Sequence, residues 1–466
     1  MVSHRVAGAP LDFVALRTEL AVPGDFASDV LADARAAAQQ VELPDYDATD
    51  IALVTVDPLG SKDLDQAVHI AGDGTGYLVS YAIADIASFV RPGGPLDDET
   101  FRRGVTVYFP DARIPLHPPS LSEDAASLLP NQTRPAVLWQ ITLDDRARPT
   151  HVDVRRARVR SRAQLDYVGV QRDLEAGGLP EALTLLAEVG SKRLAAARTR
   201  HAINLDLPEQ EVQRDGAAWR LTVRRPLPVE AFNAEISLLT GMCAAQLMLA
   251  HGAGILRTLP EPEHGAVQSL RRAARALGVA WPDGAQPGDV LATLDRGNPR
   301  HVVLIEHATS LLRGAGYTTF DGAPPAQRTH AGIGAAYAHV TAPLRRLVDR
   351  YGSEVCLALQ SGQPIPQWVR ARMSLLPDTM AKADQREHEI DRAVIDATEA
   401  WLLHDRVGEV FDVLVIDADE RAATITLDEP AVRARCAGAN LPVGERIAAQ
   451  LTEADIPTRT VRFAAV

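Results

Sequence analysis

The sequence predicts a large α/β (α+β) domain over residues 51–403, a small five-stranded β-barrel over residues 404–466, and a short helical segment over residues 1–50. Three observations carry this. Residues 27–41 are Ala-rich, with apolar positions at helical spacing (Val30, Leu31, Ala34, Ala38, Val41) ending before Leu43-Pro44. From residue 51 short apolar runs separated by turn formers give way to long helical stretches, the order of a mixed α/β domain. The last stretch holds only short strands and turns, a pattern that suits an OB-fold.

Within residues 1–50 an ordinary helical cap or a helix-turn-helix would fit. Ile51–Val56 reads as a buried strand. Gln66–Ile70, the Gly72-Asp-Gly-Thr-Gly76 turn and Tyr77–Ile83 form a hairpin signal. A charged helix near Asp97–Arg103 and a short strand Val105–Phe109 follow. Pro110 to Pro119 holds four prolines and is expected to be irregular. Pro135–Leu143 reads as another buried strand. Residues 181–200 and 229–250 are helical, the second strongly apolar and carrying Glu235, and residues 264–318 read as further helices broken at Trp281-Pro-Asp-Gly284. Leu344–Leu359 and Asp378–Leu403 complete the helical part.

Asp57-Pro-Leu-Gly-Ser-Lys-Asp63-Leu-Asp65-Gln66-Ala lies between two strands and crowds three carboxylates into one connection. Such repulsion is relieved by a cation, and Mg²⁺ takes hard oxygen ligands that bridge protein carboxylates to substrate phosphates. An acidic surface turn has the same spacing, so spacing alone does not choose. Arg156, Arg158, Arg160 and Arg162 share one strand face, which suits either several phosphates or a charge-guarded sheet edge.

A formal net charge of −13 argues mildly against nucleic acid, although a local basic channel can exist on an acidic protein. Cys243, Cys356 and Cys436 lie far apart in apolar contexts, so buried reduced thiols are expected, with no zinc spacing and no disulfide framework. No apolar run approaches the roughly 20 residues of a membrane span. The opening Met-Val-Ser-His-Arg-Val-Ala-Gly lacks the apolar core of a signal peptide. A cytoplasmic protein, independent of membranes, is expected.

The acidic stretch is similar to the signature loop of the ribonuclease II (RNB) exoribonucleases. Tyr81-Ala-Ile-Ala-Asp-Ile-Ala-Ser-Phe-Val-Arg-Pro-Gly-Gly-Pro-Leu-Asp97 resembles the segment that follows it, and Tyr337-Ala-His-Val-Thr-Ala-Pro-Leu-Arg345-Arg346 resembles that family's threonine-serine-proline-isoleucine-arginine motif. Val107-Tyr-Phe-Pro and Ser122–Leu128 fit as well. The resemblance covers about residues 40 to 466 and implies an RNB-type catalytic domain with an RNA-binding barrel.

By this resemblance Asp57, Asp63, Asp65 and the adjacent Gln66 occupy metal-site positions, with Asp65 the one most tied to catalysis. Arg345 matches the catalytic arginine, which would stabilise charge on the scissile phosphate. Tyr108 matches an aromatic that stacks near the 3′ end of the substrate, while Tyr167 and Glu235 match positions around the ribose. Arg346 is expected on a helix surface or a backbone phosphate. The implied activity is processive, Mg²⁺-dependent (Mn²⁺ the alternative ion) 3′→5′ hydrolysis of single-stranded RNA to nucleoside 5′-monophosphates, by a monomer. A catalytically silent RNA-binding member is the alternative from another class.

The chain departs from the family at several points. Gln66 stands where a second adjacent aspartate is usual; it keeps an oxygen donor but loses a charge, leaving one or two ions. Leu347 replaces a tyrosine. Glu387, Glu389 and Asp396 compete for the late-helix glutamate, and residues 1–50 have no room for tandem cold-shock barrels.

Overall fold

The computed structural model describes residues 11–205, 209–215 and 218–466. Residues 1–10, expected within the helical segment, lie outside the described residues. Helix α1 (Phe13–Glu19) starts at Asp12, whose carboxylate accepts the Val14 N–H at 2.8 Å. Helix α2 (Ser28–Gln40) follows. Phe13 meets Trp219 edge to face at 5.1 Å in one core cluster, whereas Val30 and Ala34 enter another with Leu53 and Leu64. The two helices therefore cap separate parts of the molecule.

A six-stranded sheet organises the next part. Strands β1 (Val54–Asp57), β2 (Gln66–Asp73) and β3 (Gly76–Ala84) are followed by helix α3 (Pro95–Arg103) and the small ribbon β4 (Val107–Tyr108)–β5 (Arg113–Ile114). Then come β6 (Thr133–Leu143), β7 (Pro149–Arg160) and β8 (Ala163–Asp166), giving the order β7-β6-β3-β2-β1-β8. Only β1–β8 is parallel, with Asp57 opposite Asp166. β7 is an edge strand, and its arginines, with Arg162 just beyond its end, serve that edge. Arg158 holds Asp47 at 3.0 Å and two carbonyls of the preceding loop, Arg162 donates to the carbonyls of Thr49 and Asp50, and Arg156 lies on Asp85 and Glu354. Of the two readings of this strand, the guarded edge holds, and these guanidiniums are committed within the fold.

Helices α4 (Tyr167–Glu175) and α5 (Leu186–Thr199), the hairpin β9 (Glu209–Asp215)–β10 (Ala218–Arg224) and helix α6 (Pro228–His251) come next. α6 is long and apolar enough to cross a membrane by length and composition, although Glu230, Asn233 and Glu235 interrupt its apolar run. It is instead a core helix, with Ile236, Leu239, Cys243 and Met248 buried. Strand β11 (Ala253–Thr258) precedes helices α7 (His264–Ala276), α8 (Pro287–Leu291) and α9 (Pro299–Ala308), then pairs antiparallel with β12 (Gly316–Asp321). The helical reading of residues 264–318 missed β12, whose Tyr, Thr and Phe are strand formers. Helices α10 (Leu347–Gln360), α11 (Gln367–Met373) and α12 (Leu376–Leu403) complete this domain.

Strands β13 (Val410–Ala418), β14 (Ala422–Thr426), β15 (Arg433–Ala437), β16 (Arg446–Asp455) and β17 (Thr460–Ala465) close a five-stranded barrel in the order β13-β14-β15-β17-β16. Val413, Val415, Ile425, Leu451 and Phe463 fill it. As expected, all three cysteines are buried and free.

Candidate functional site

β1 ends on Asp57 and β2 begins on Gln66, so the acidic loop spans the mouth between two core strands. Its anchor is Leu64, which is fully buried. The Leu64 N–H donates to Ser127 Oγ at 3.0 Å, and the Ser127 hydroxyl donates to the Lys62 carbonyl at 2.6 Å. The Asp65 carbonyl accepts from Ala84 of β3 at 2.9 Å. With Leu64 drawn inward and its backbone paired, the flanking Asp63 and Asp65 are fixed rather than floppy.

Asp65 is buried, with 3% of its surface exposed. Its Oδ1 accepts the Leu344 N–H at 2.7 Å, across 279 residues of sequence, and its Oδ2 lies 3.7 Å from Arg345 Nε. Burial pushes its pKa well above the ordinary carboxylate range, against the pull of Arg345. Asp57 is raised to about 7, chiefly by burial, with Arg345 lowering it and Asp63 raising it. Its Oδ2 is buried without a hydrogen-bond partner. Two carboxylates desolvated together, one with an orphaned oxygen, form a hard-oxygen donor set that a divalent cation fits.

Asp63 is differently placed. Its Oδ1 accepts from Arg113, and the Tyr108 hydroxyl points at its Oδ2 from 3.4 Å. Arg113 also pairs with Glu123. Gln66 donates its side-chain N–H to the Thr341 carbonyl, so it ties β2 to the Thr341–Arg346 loop through its nitrogen and not through its oxygen. Successive strand residues point to opposite faces, which separates Gln66 from Asp65. Among the described residues no group of three or more acids, histidines or cysteines makes a ready metal cage.

Helix α10 begins at Leu347, two residues later than Arg345, so both arginines lie in the approach to the helix rather than on it. Arg346 is committed to Asp349, which also accepts the Ala342 N–H at 2.7 Å. It therefore shapes the loop, while 24% of its side chain stays exposed. Arg345 is about half exposed and faces the acids.

Aromatic hydroxyls and amides form the wall beside Asp57. Tyr81 shares a 2.7 Å hydrogen bond with Ser237, and Tyr167 accepts from Asn233 at 3.2 Å. Both tyrosines are held above their ordinary range, mainly by burial, with the Asp57 charge adding to it. Asn233 and Ser237 are one helical turn apart on α6. Glu235 lies between them in sequence and points elsewhere: it is buried against Arg193 of α5, Oε2 to Nε 3.9 Å. Burial raises it, with Arg193 and Arg200 pulling the other way. The Glu235 oxygen that faces Arg193 is buried without a hydrogen-bond partner. Sequence reading missed Asn233 and Ser237, although their i, i+4 spacing was legible on α6. Arg113 and Glu123 lay hidden in the proline-rich stretch and just beyond it.

A cavity of about 230 Å³ opens beside this cluster, lined by Tyr108, Arg345, Arg346, His339, Asp384 and Glu387 among others. Tyr108, 46% exposed, also borders a second cavity of about 560 Å³. Of the three late-helix candidates, Glu387 lines the first cavity and is raised by burial and by Asp391 and Asp384. Glu389 is exposed and accepts from Gln385, and Asp396 pairs with Arg392. His339 accepts or shares a 2.7 Å hydrogen bond with Tyr317 and is held well below its ordinary range by burial and by Arg346 and Arg257, hence neutral.

The profile of the RNB domain matches residues 46–355, and that of the RNase II-type exonuclease C-terminal S1 domain matches residues 409–466. Ribonuclease R from Escherichia coli (strain K12) is 28% identical over 411 residues, covering 82% of this chain and 50% of that protein. Across the curated relatives compared, the chain spans between 34% and 62% of their own lengths. The apo form of Mycoplasma genitalium RNase R shares the fold with a TM-score of 0.87 at 20% identity, over 97% of this chain and 77% of that one. Yeast Ssd1, a pseudonuclease, shares it with a TM-score of 0.69 at 16% identity, over 88% and 53%.

Proposed function

The chain belongs to the RNB family, and from that premise we propose that it is a hydrolytic, processive 3′→5′ exoribonuclease that degrades single-stranded RNA to nucleoside 5′-monophosphates. It would act as a cytoplasmic monomer. The observation that carries this reading is the meeting of Asp65 with Leu344 and Arg345: an acid from the signature loop is hydrogen-bonded to the backbone beside the only arginine of its motif that faces the acids.

In this reading Asp57 and Asp65 would hold Mg²⁺ (or Mn²⁺), with Asp63 beside them. When bound, such an ion lowers the pKa of the attacking water and offsets charge on the phosphoryl oxygens. The remaining work belongs to the chain. The Arg345 guanidinium, aimed at the scissile phosphate, stabilises the extra charge of the transition state as the water oxygen bonds to phosphorus and the bond to the 3′-oxygen breaks. Glu387, in the same cavity, is placed to support that end of the substrate. Tyr108 offers a half-exposed ring for base stacking, which tolerates any base. Tyr167 and Asn233 offer a hydroxyl and an amide to a ribose 2′-hydroxyl, the group that separates RNA from DNA. RNA-bound complexes are known for the Mycoplasma RNase R, both with ribose-methylated single-stranded and with double-stranded RNA, which supports RNA as the ligand.

The test is digestion of a hairpin with a 3′ overhang, in Mg²⁺ and in EDTA. Metal-dependent release of mononucleotides from the overhang is expected. RNA binding with no release in any metal would sink the nuclease and favour a catalytically silent member, as yeast Ssd1, a pseudonuclease, shares this fold.

A further inference from the structure

The acidic loop contains three aspartates, yet they are not equivalent. Asp65 is buried, and Asp57 Oδ2 is buried without a hydrogen-bond partner. Asp63 is instead gripped by Arg113, which is itself anchored from outside by Glu123, and is approached by Tyr108. The Arg113 side chain is 22% exposed and lies on the short ribbon β4–β5, so a paired strand sets its position. The fourth position of the loop, Gln66, contributes no charge and is engaged by Thr341.

Charge counting follows from these contacts. A second divalent ion needs carboxylate charge beyond what the first consumes, because Mg²⁺ and Mn²⁺ sites are built from hard anionic oxygens. Asp63 is the only further carboxylate of the loop, and a guanidinium already neutralises it. A fixed guanidinium is always charged and matches a carboxylate geometrically, so it competes with a metal for the same oxygens. Resting on the nuclease reading above, we infer that Arg113 is a built-in cation of this site, standing where a second metal ion would otherwise be needed, so that the chain takes a single divalent ion on Asp57 and Asp65.

Mn²⁺ binding to the full-length chain, followed by loss of the free-ion EPR signal on titration, tests this without relying on turnover. The wild-type chain is expected to bind one Mn²⁺ at this site. Arg113→Met, which keeps much of the apolar stem but removes the charge, frees Asp63 and is expected to bind a second equivalent; Arg113→Lys, which keeps a cation, is expected to stay at one. Two equivalents on the wild-type chain overturn the inference whatever the variants do. Unchanged stoichiometry in a folded Arg113→Met also overturns it. Mononucleotide release assayed on the same samples separates the two readings: two ions with cleavage overturns only the single-ion inference, whereas no ion and no cleavage overturns the nuclease reading with it.

Discussion

Arg346 lays Nε and Nη2 on the two carboxylate oxygens of Asp349, at 2.8 and 2.9 Å, and leaves its neighbour Arg345 to face Asp65. Asp349 lies in the first turn of α10, where a carboxylate also suits the helix dipole, and is fully buried. It holds the loop at both ends by accepting the Ala342 N–H as well. Asp349→Asn would break one side of a buried charge pair, and roughly 3 kcal/mol of stability is expected to be lost. Denaturant unfolding measures it; a midpoint equal to wild type would show that the pair does not hold the loop.

Asp65→Asn and Arg345→Ala are expected to leave RNA affinity within a few-fold of wild type while mononucleotide release falls by roughly 10²-fold or more, the scale of losing one charge-stabilising group. Filter binding in EDTA and product chromatography in Mg²⁺ separate the two effects. Normal release by Asp65→Asn would refute the mechanism.

Glu235 and Asn233 should part company on mutation. Glu235→Gln leaves Arg193 buried without its counter-charge, so a lowered melting temperature is expected with kcat on RNA retained. Asn233→Ala is expected to weaken the preference for RNA over DNA by roughly 1 kcal/mol, the net worth of one hydrogen bond. A loss of RNA preference in Glu235→Gln, with unchanged stability, would place Glu235 at the ribose.

Glu399 joins α12 to the barrel and to the β9–β10 hairpin, accepting the Arg433 N–H at 2.9 Å and the Gln210 side-chain amide at 3.2 Å. Burial raises it from 4.5 to about 7, with those hydrogen bonds opposing. A raised carboxyl favours the folded state while protonated, so its contribution is full below pH 4.5 and fades as pH climbs through 7. Glu399→Gln is expected to flatten the fall of melting temperature between pH 5 and 8 and to be the more stable chain at pH 8, by on the order of 3 kcal/mol. Parallel melting curves for the two chains would argue against it.

Much of the fold was legible because its elements carry strong periodicity. The buried strands around Asp57, the apolar α6, the long α12 and the barrel each announce themselves by spacing and turns. What stayed hidden is contact between distant segments. Gln66 looks like a weakened metal ligand in sequence, and only the fold brings Thr341 to its amide. Arg113 sits among prolines, with no periodicity to mark it, and acquires meaning from Asp63 and Glu123. Glu235 shares its helix with Asn233 and Ser237, but a two-residue offset turns it to the opposite side, toward Arg193. The choice among Glu387, Glu389 and Asp396 likewise depends on which side of α12 meets the cavity.

Helix α12 runs unbroken for 28 residues and packs against both β16 and β17 of the barrel. Glu387 lines the cavity from its first half, and Glu399 clasps the barrel about 18 Å further along, at ~1.5 Å per residue. The helix thus works as a yardstick, making the span from cavity to barrel a matter of covalent length rather than of a hinge. Adding or deleting a full turn in the middle of α12 would lengthen or shorten that gauge, and the size of the last RNA fragment left undigested should change in step.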